Sequence, residues 1–123
     1  MGLTQLTVRI ANPTDPGRYH DMEFIVDSGA TFTVVPKKVL EELDIKTRST
    51  RTFVLANGEK FERSLGNAEV EYKGAPGAAT VIFGEEGEFP LLGVTTLEAL
   101  GLIFDALRQE LKPALMLMAN ASG

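Results

Sequence analysis

The stretch Phe24-Ile25-Val26-Asp27-Ser28-Gly29-Ala30-Thr31 constrains this chain most, because it carries an ionisable carboxylate straight out of a run of strand-forming apolar residues. Asp-Ser-Gly alone is ordinary turn chemistry, since all three residue types favour turns. The residues that follow do not form a polar loop. Thr31-Phe32-Thr33-Val34-Val35-Pro36 is β-branched and aromatic and reads as a second buried strand. A carboxylate between two core strands is costly to ionise alone, so Asp27 is expected either to stay neutral or to have partners.

A second stretch, Leu91-Leu92-Gly93 followed by Val94-Thr95-Thr96-Leu97-Glu98-Ala99-Leu100, places two aliphatics and a glycine ahead of a short helical pattern. Together with Ile25-Val26-Asp27-Ser28-Gly29-Ala30, and in this order, it resembles the paired signatures of the retropepsin-like (retroviral-type) aspartic proteases. The resemblance covers about Leu6 to Phe104. It implies an all-β, retropepsin-like acid-protease barrel with one or two short helices, with residues 1–123 forming a single domain.

A length of 123 residues fits one domain and is too short for the two-lobed, single-chain form of an aspartic protease. The net charge of -5 argues against nucleic acid or an anionic membrane as the main partner, because both would repel it. No cysteine is present, which excludes disulfides, thiol catalysis and cysteine-based zinc sites. Without a charged-then-apolar leader at the N-terminus, a cytoplasmic location is expected. The run Ala114-Leu115-Met116-Leu117-Met118-Ala119 is far too short to span a bilayer. His20, the single histidine, cannot build a metal cluster or a hydroxyl-nucleophile triad and reads as surface. No metal and no cofactor are expected.

Along the chain, Leu6, Val8 and Ile10 alternate with polar or small residues at the period of a half-buried strand, and Asn12 to Asp21 reads as a loop. Pro36 to Leu43 reads as a short helix with Val39, Leu40 and Leu43 on one face. A weak internal repeat relates Val34-Val35-Pro36 to Leu91-Leu92-Gly93 and Leu40–Ile45 to Leu97–Leu102, every pair offset by 57. It fits either two related half-motifs or two unrelated amphipathic helices sharing a common pattern.

Thr52 to Ala56 and Glu59 to Arg63 flank Asn57-Gly58, a strong hairpin signal of the kind in which both turn residues take positive φ. Ala68, Val70 and Tyr72 mark another one-sided strand, Gly74 to Gly77 a turn, and Ala79 to Phe83 a further strand. The glutamates of Gly84-Glu85-Glu86-Gly87-Glu88 suit a solvated loop better than a cation site. Leu102 to Asp105 leaves the second helix as a strand, and the segment through Leu107, Leu111 and Ala114 to Met118 is expected to supply edge strands. Met116 and Met118 read as core or interface filler. About seven short strands and two short helices result, an all-β domain.

Peptide hydrolysis by carboxylates needs two of them about a hydrogen bond apart, one ionised to take a proton from water and one protonated to donate to the carbonyl oxygen. The chain carries one Asp-Ser-Gly, so the second carboxylate must come from another copy, Asp27 of each chain meeting at a two-fold axis. The resemblance implies the remaining roles. Ser28 would hydrogen-bond across the dyad, Gly29 would let backbone approach water and an extended substrate, Ala30 would support the site as part of the motif, and Gly93 would pack under the catalytic loop. The hairpin tip Ala56-Asn57-Gly58-Glu59 would be the flap that closes over substrate; the plainer alternative is a hairpin that merely extends the sheet. Retroviral members often pair an acid at the position of Thr31 with an arginine at that of Val94, and both charges are absent here. The expected activity is that of a homodimeric aspartic endopeptidase acting on peptide or protein substrates held as β-strands. The alternative is a catalytically weak or silent peptide-binding and dimerisation module on the same fold.

Overall fold

The computed structural model describes residues 4–114. In chain order it contains β1 (Gln5–Asn12), β2 (Asp15–Val26), β3 (Thr33–Pro36), α1 (Lys37–Glu42), β4 (Ser49–Val54), β5 (Lys60–Tyr72), β6 (Ala75–Gly84), β7 (Leu91–Leu92), α2 (Val94–Ala99), β8 (Leu102–Asp105) and β9 (Glu110–Pro113). Seven strands form one sheet in the order β1-β2-β7-β3-β6-β5-β4, and β5 also bonds back to β1 through Arg9–Ala11 and Glu69–Glu71. The sheet therefore closes into a ring, with β4 hanging from β5. Closure removes the open edges that a flat sheet would present. The remaining strands, β8 and β9, pair as a separate hairpin.

Alternation along the strands decides what the ring encloses. Val8 and Ile10 of β1, Phe24 of β2, Val35 of β3, Val70 of β5, Val81 of β6 and Leu92 of β7 are buried together with Leu40 of α1 and Leu97 of α2. Each fully buried aliphatic or aromatic side chain contributes roughly 1.5–3 kcal/mol relative to exposure, so this shared interior is the main driving force for closure.

The segment expected as a loop from Asn12 to Asp21 is instead a hairpin: β2 already begins at Asp15, and Pro13-Thr14 makes the turn. The loop-forming residues sit where the ladder is broken. Its register jumps from Ala11↔Tyr19 to Asn12↔Asp15, which leaves Pro16, Gly17 and Arg18 bulged out where no ladder bond is lost. Asn12 fixes the turn, its Oδ1 accepting from Thr14 N at 2.8 Å while its Nδ2 donates to Leu43 O at 2.8 Å. His20 lies within β2, half-buried, with Nε2 3.4 Å from Glu42 Oε1.

Turn types also differ from expectation. The primed two-residue turn falls at Lys73-Gly74, with φ of 49° and 82°, whereas around Asn57-Gly58 only Gly58 has positive φ, at 89°. Gly58 N donates to Leu55 O and Leu55 N to Glu59 O, which makes a three-residue loop, Ala56-Asn57-Gly58, with glycine at the left-handed position. Asn57 spends its side chain on Glu59, accepting from its backbone N at 2.9 Å and donating to its Oε1 at 2.8 Å.

The internal repeat is structural. Helices α1 and α2 occupy identical spans displaced by 57 residues, and each ends in a left-handed residue at the same offset, Asp44 (φ 59°) and Gly101 (φ 72°). The two halves exchange strands: β2 of the first pairs in parallel with β7 of the second, and β6 of the second pairs in parallel with β3 of the first. β3 and β7 meet antiparallel at the centre through Val34↔Leu91. The ends of β2 and β6 are thus related positions, with Asp27 just after the first and Gly84, the last residue of the second, at the matching offset.

At the C-terminal side, Asp105 accepts from Lys112 Nζ at 2.8 Å and from the backbone of Leu107 and Arg108, tying β8 to β9. Lys112 and the two amides hold the Asp105 carboxyl below its ordinary value of 3.8. A folded-state value below the unfolded one gives a stabilisation present above the ordinary value and lost as pH falls through the lowered one. NMR amide shifts of residues 102–113 are therefore expected to titrate below about pH 4, and Asp105→Asn to remove that titration. Met116 and Met118 lie outside the described residues.

Candidate active site

The site begins where β2 stops. Asp27 continues the ladder by one backbone bond, its N–H donating to Leu92 O at 3.0 Å, and the chain then turns, with Ala30 N donating back to Asp27 O at 3.1 Å. The Asp27 side chain closes the turn, its Oδ1 accepting from Gly29 N at 3.0 Å. Asp27 and Ala30 are half-buried, whereas Ser28 and Gly29 are exposed. Among the described residues no cation lies within salt-bridge distance of Asp27, and the Ser28 hydroxyl makes no hydrogen bond. In the single chain strands β2 and β3 are core, and the loop between them carries Asp27 to a half-buried position near the surface.

Three bonds clamp this loop to the start of α2. Val94 N donates to Ala30 O at 2.8 Å, and Thr95 donates to Thr31 O through both its N, at 3.1 Å, and its Oγ1, at 2.7 Å. The loop therefore meets α2 through backbone at the two positions, Thr31 and Val94, where the charged pair of retroviral members is absent. Gly93 lies directly beneath. A Cβ there would come 2.5 Å from Phe32 O, 2.6 Å from Phe32 C and 2.8 Å from Thr31 O, all backbone atoms, so only glycine admits this approach.

Behind the clamp is a buried polar pair that sequence reading passed over. Thr33 and Thr96 are both fully buried, their hydroxyls bond to each other, and Thr33 Oγ1 also accepts from Gly93 N at 2.9 Å. Thr33 had the appearance of any β-branched strand residue; the signal was a hydroxyl at an inward position of the alternation. Thr33→Val is expected to cost about 2 kcal/mol in denaturant unfolding, because it orphans the Gly93 N–H and the Thr96 hydroxyl together.

The hairpin tip Ala56, Asn57, Gly58 and Glu59 is exposed, and its side-chain hydrogen bonds stay within it. The ribbon of β4 and β5 meets the Asp27 loop further down, where the Arg51 guanidinium lies 5.3 Å from the centroid of the Phe32 ring. The structure therefore brings Asp27, Ser28, Gly29, Ala30 and Gly93 into one unit, and joins the hairpin to that unit by its arm rather than its tip. Exposed apolar side chains stand nearby in sequence, Val54 and Leu55 on the hairpin and Phe89 just before β7. Among the described residues no group of three or more His, Cys, Asp or Glu side chains is arranged to hold a metal ion, and no helix is long and apolar enough to cross a membrane.

A carboxylate at the start of a β-loop whose later residues pack on a glycine that opens a short helix, inside a strand-exchanged ring, is the arrangement of the retropepsin-like class of aspartic protease fold. The family model described as "gag-polyprotein putative aspartyl protease" matches residues 18–99, two-thirds of the chain, and the chain belongs to that family. In structure it is similar to the solution structure of simian foamy virus (mac) protease, with a TM-score of 0.55 at 21% identity, covering 76% of this chain and 91% of that one. At that identity the likeness concerns the fold. No match was found among curated protein sequences.

Proposed function

We propose that this chain is an aspartic endopeptidase whose catalytic dyad consists of Asp27 from each of two identical subunits. The observation that carries the reading is the half-exposed Asp27 on a loop held by Gly93 and α2, together with Gly84 at the related position of the second half. One chain offers a single well-placed carboxylate, and water activation needs two, so the complement comes from a two-fold partner.

In the dimer the two carboxylates share one proton, since like charges that close cannot both ionise. The ionised one takes a proton from water as it attacks the peptide carbonyl, and the protonated one donates to the carbonyl oxygen. Collapse of the tetrahedral adduct returns a proton to the leaving amine. Gly29 N, bonded to Asp27 Oδ1, orients the carboxylate. Ser28, exposed in the single chain, bridges through its hydroxyl to the partner loop in this reading. Gly93 supports the loop without touching substrate, and residues 56–59 act as a flap over a substrate bound as an extended strand.

The test is cleavage of a mixed peptide library across pH 3 to 7, with a statine-type transition-state mimic as inhibitor. Acid-favoured cleavage blocked by the mimic is the expected result, since the shared proton is lost as pH rises. A dimer that binds peptides but cleaves none would instead make the chain a binding module.

A further inference from the structure

The ribbon of β4 and β5 leaves the ring at Leu65, which pairs with both Ser49 and Ile82; Lys60–Ser64 pair with β4 alone. A two-stranded ribbon is marginal by itself, so its tilt must be set by side chains that reach the body. The register places Arg51 opposite Arg63 and Phe53 opposite Phe61, and opposed residues share a face. One face therefore carries two guanidiniums towards the root and, beyond them, two stacked rings with centroids 5.9 Å apart. Like charges directly opposite destabilise a strand pair unless each is compensated.

Both are compensated, by different elements. The Arg63 side chain, 19% exposed, donates from Nη2 to Glu88 Oε2 at 3.1 Å, has Nη1 4.0 Å from Glu85 Oε1 and lies 4.6 Å from the Phe61 ring centroid. Glu88 is itself held, its Oε1 accepting from Glu85 N. Arg51 rests over Phe32, and among the described residues it has no carboxylate within salt-bridge distance. Phe32 belongs to the segment that follows Asp27, and the 85–88 loop runs through Pro90, whose carbonyl accepts from Ile25 N, into β7. One anchor point thus lies on the segment that follows Asp27, and the other on the loop that leads into β7, the strand paired with the end of β2.

We propose that Arg51 and Arg63 form a two-point clamp that sets the tilt of the β4–β5 ribbon against the Asp27 loop, with Glu88 as the acceptor that makes their opposed placement stable. They are positioning residues, and only their effect on catalysis rests on the endopeptidase reading. Loss of Glu88 removes an attraction and also leaves a cross-strand repulsion, which loosens the ribbon without touching the ring.

Amide hydrogen exchange on the whole protein tests the clamp without reference to activity. Arg63→Gln, Arg51→Gln and Glu88→Gln are each expected to raise exchange over residues 52–62 severalfold, up to roughly tenfold, with β1, β6 and residues 66–72 of β5 within about twofold of wild type. The Arg63→Gln/Glu88→Gln double variant should exchange less than the product of the single effects, because the two share one interaction. Arg63→Lys should recover part of the protection, keeping the charge but not the guanidinium over the Phe61 ring. Unchanged exchange in the ribbon, or a rise spread equally over the ring, overturns the proposal. In the cleavage assay the clamp variants should raise KM with little change in kcat. A wild-type protein that cleaves nothing removes the endopeptidase reading and leaves the exchange result standing.

Discussion

Asp27→Asn is expected to abolish peptide cleavage, by roughly 10³-fold or more, while leaving fold and dimer intact. The substitution is isosteric. The backbone bond from residue 27 to Leu92 O is unaffected, and an asparagine Oδ1 accepts from Gly29 N as the carboxylate does. What disappears is the titratable oxygen that moves protons. If Asp27 only closed a turn, the variant would cleave as wild type does.

Mixing sharpens the result, because each site draws one carboxylate from each subunit. When subunits exchange freely, an equal amount of the variant added to wild type traps chains in inactive mixed dimers and lowers total activity to about half, and a threefold excess lowers it to about a quarter. Activity that stays constant as variant is added would mean that each chain works alone, and the shared dyad would be abandoned.

The elements legible in the sequence were those decided by local pattern. Val8 and Ile10 announced β1 by alternation and the Val39, Leu40 and Leu43 face announced α1, while the 57-residue offset left open whether the halves are related until matched helix bounds and matched left-handed caps decided for a repeat. Misread segments were those where a distant partner overrides local preference. Pro16 and Gly17 resemble loop residues, yet the chain either side of them pairs with β1 and expels them as a bulge. Asn57-Gly58 invited a primed turn, but Asn57 bonds to Glu59 and a longer loop results, while the primed turn forms at Lys73-Gly74.

The site was legible only in part for the same reason. Asp27 and Gly93 stand out because their residue types are unusual in their settings. Thr33, Thr96, Arg51 and Arg63 do not. Their roles follow from which strands lie side by side, and the crossing of β2 with β7 and of β3 with β6 has no trace in any local window.

Gly93→Ala tests whether that crossing is as tight as it looks. The added methyl would sit 2.5 Å from Phe32 O and within 2.8 Å of two further backbone atoms, with no flexible side chain to move aside. Relief requires the Thr31-Phe32 backbone or the start of α2 to shift, which strains the bonds that Val94 makes to Ala30 O and Thr95 to Thr31 O. Overpacking of this kind costs about 3 kcal/mol, a large share of the ordinary 5–15 kcal/mol stability of a domain. A fall in melting temperature of about 10 °C is expected by calorimetry. Gly87→Ala is the control: φ there is 88° and nothing lies within 4 Å of a Cβ, so it carries backbone strain alone, about 1 kcal/mol. Equal losses at the two positions would show that Phe32 yields easily, and the glycine under the Asp27 loop would then be a convenience of the turn rather than the reason the loop is rigid.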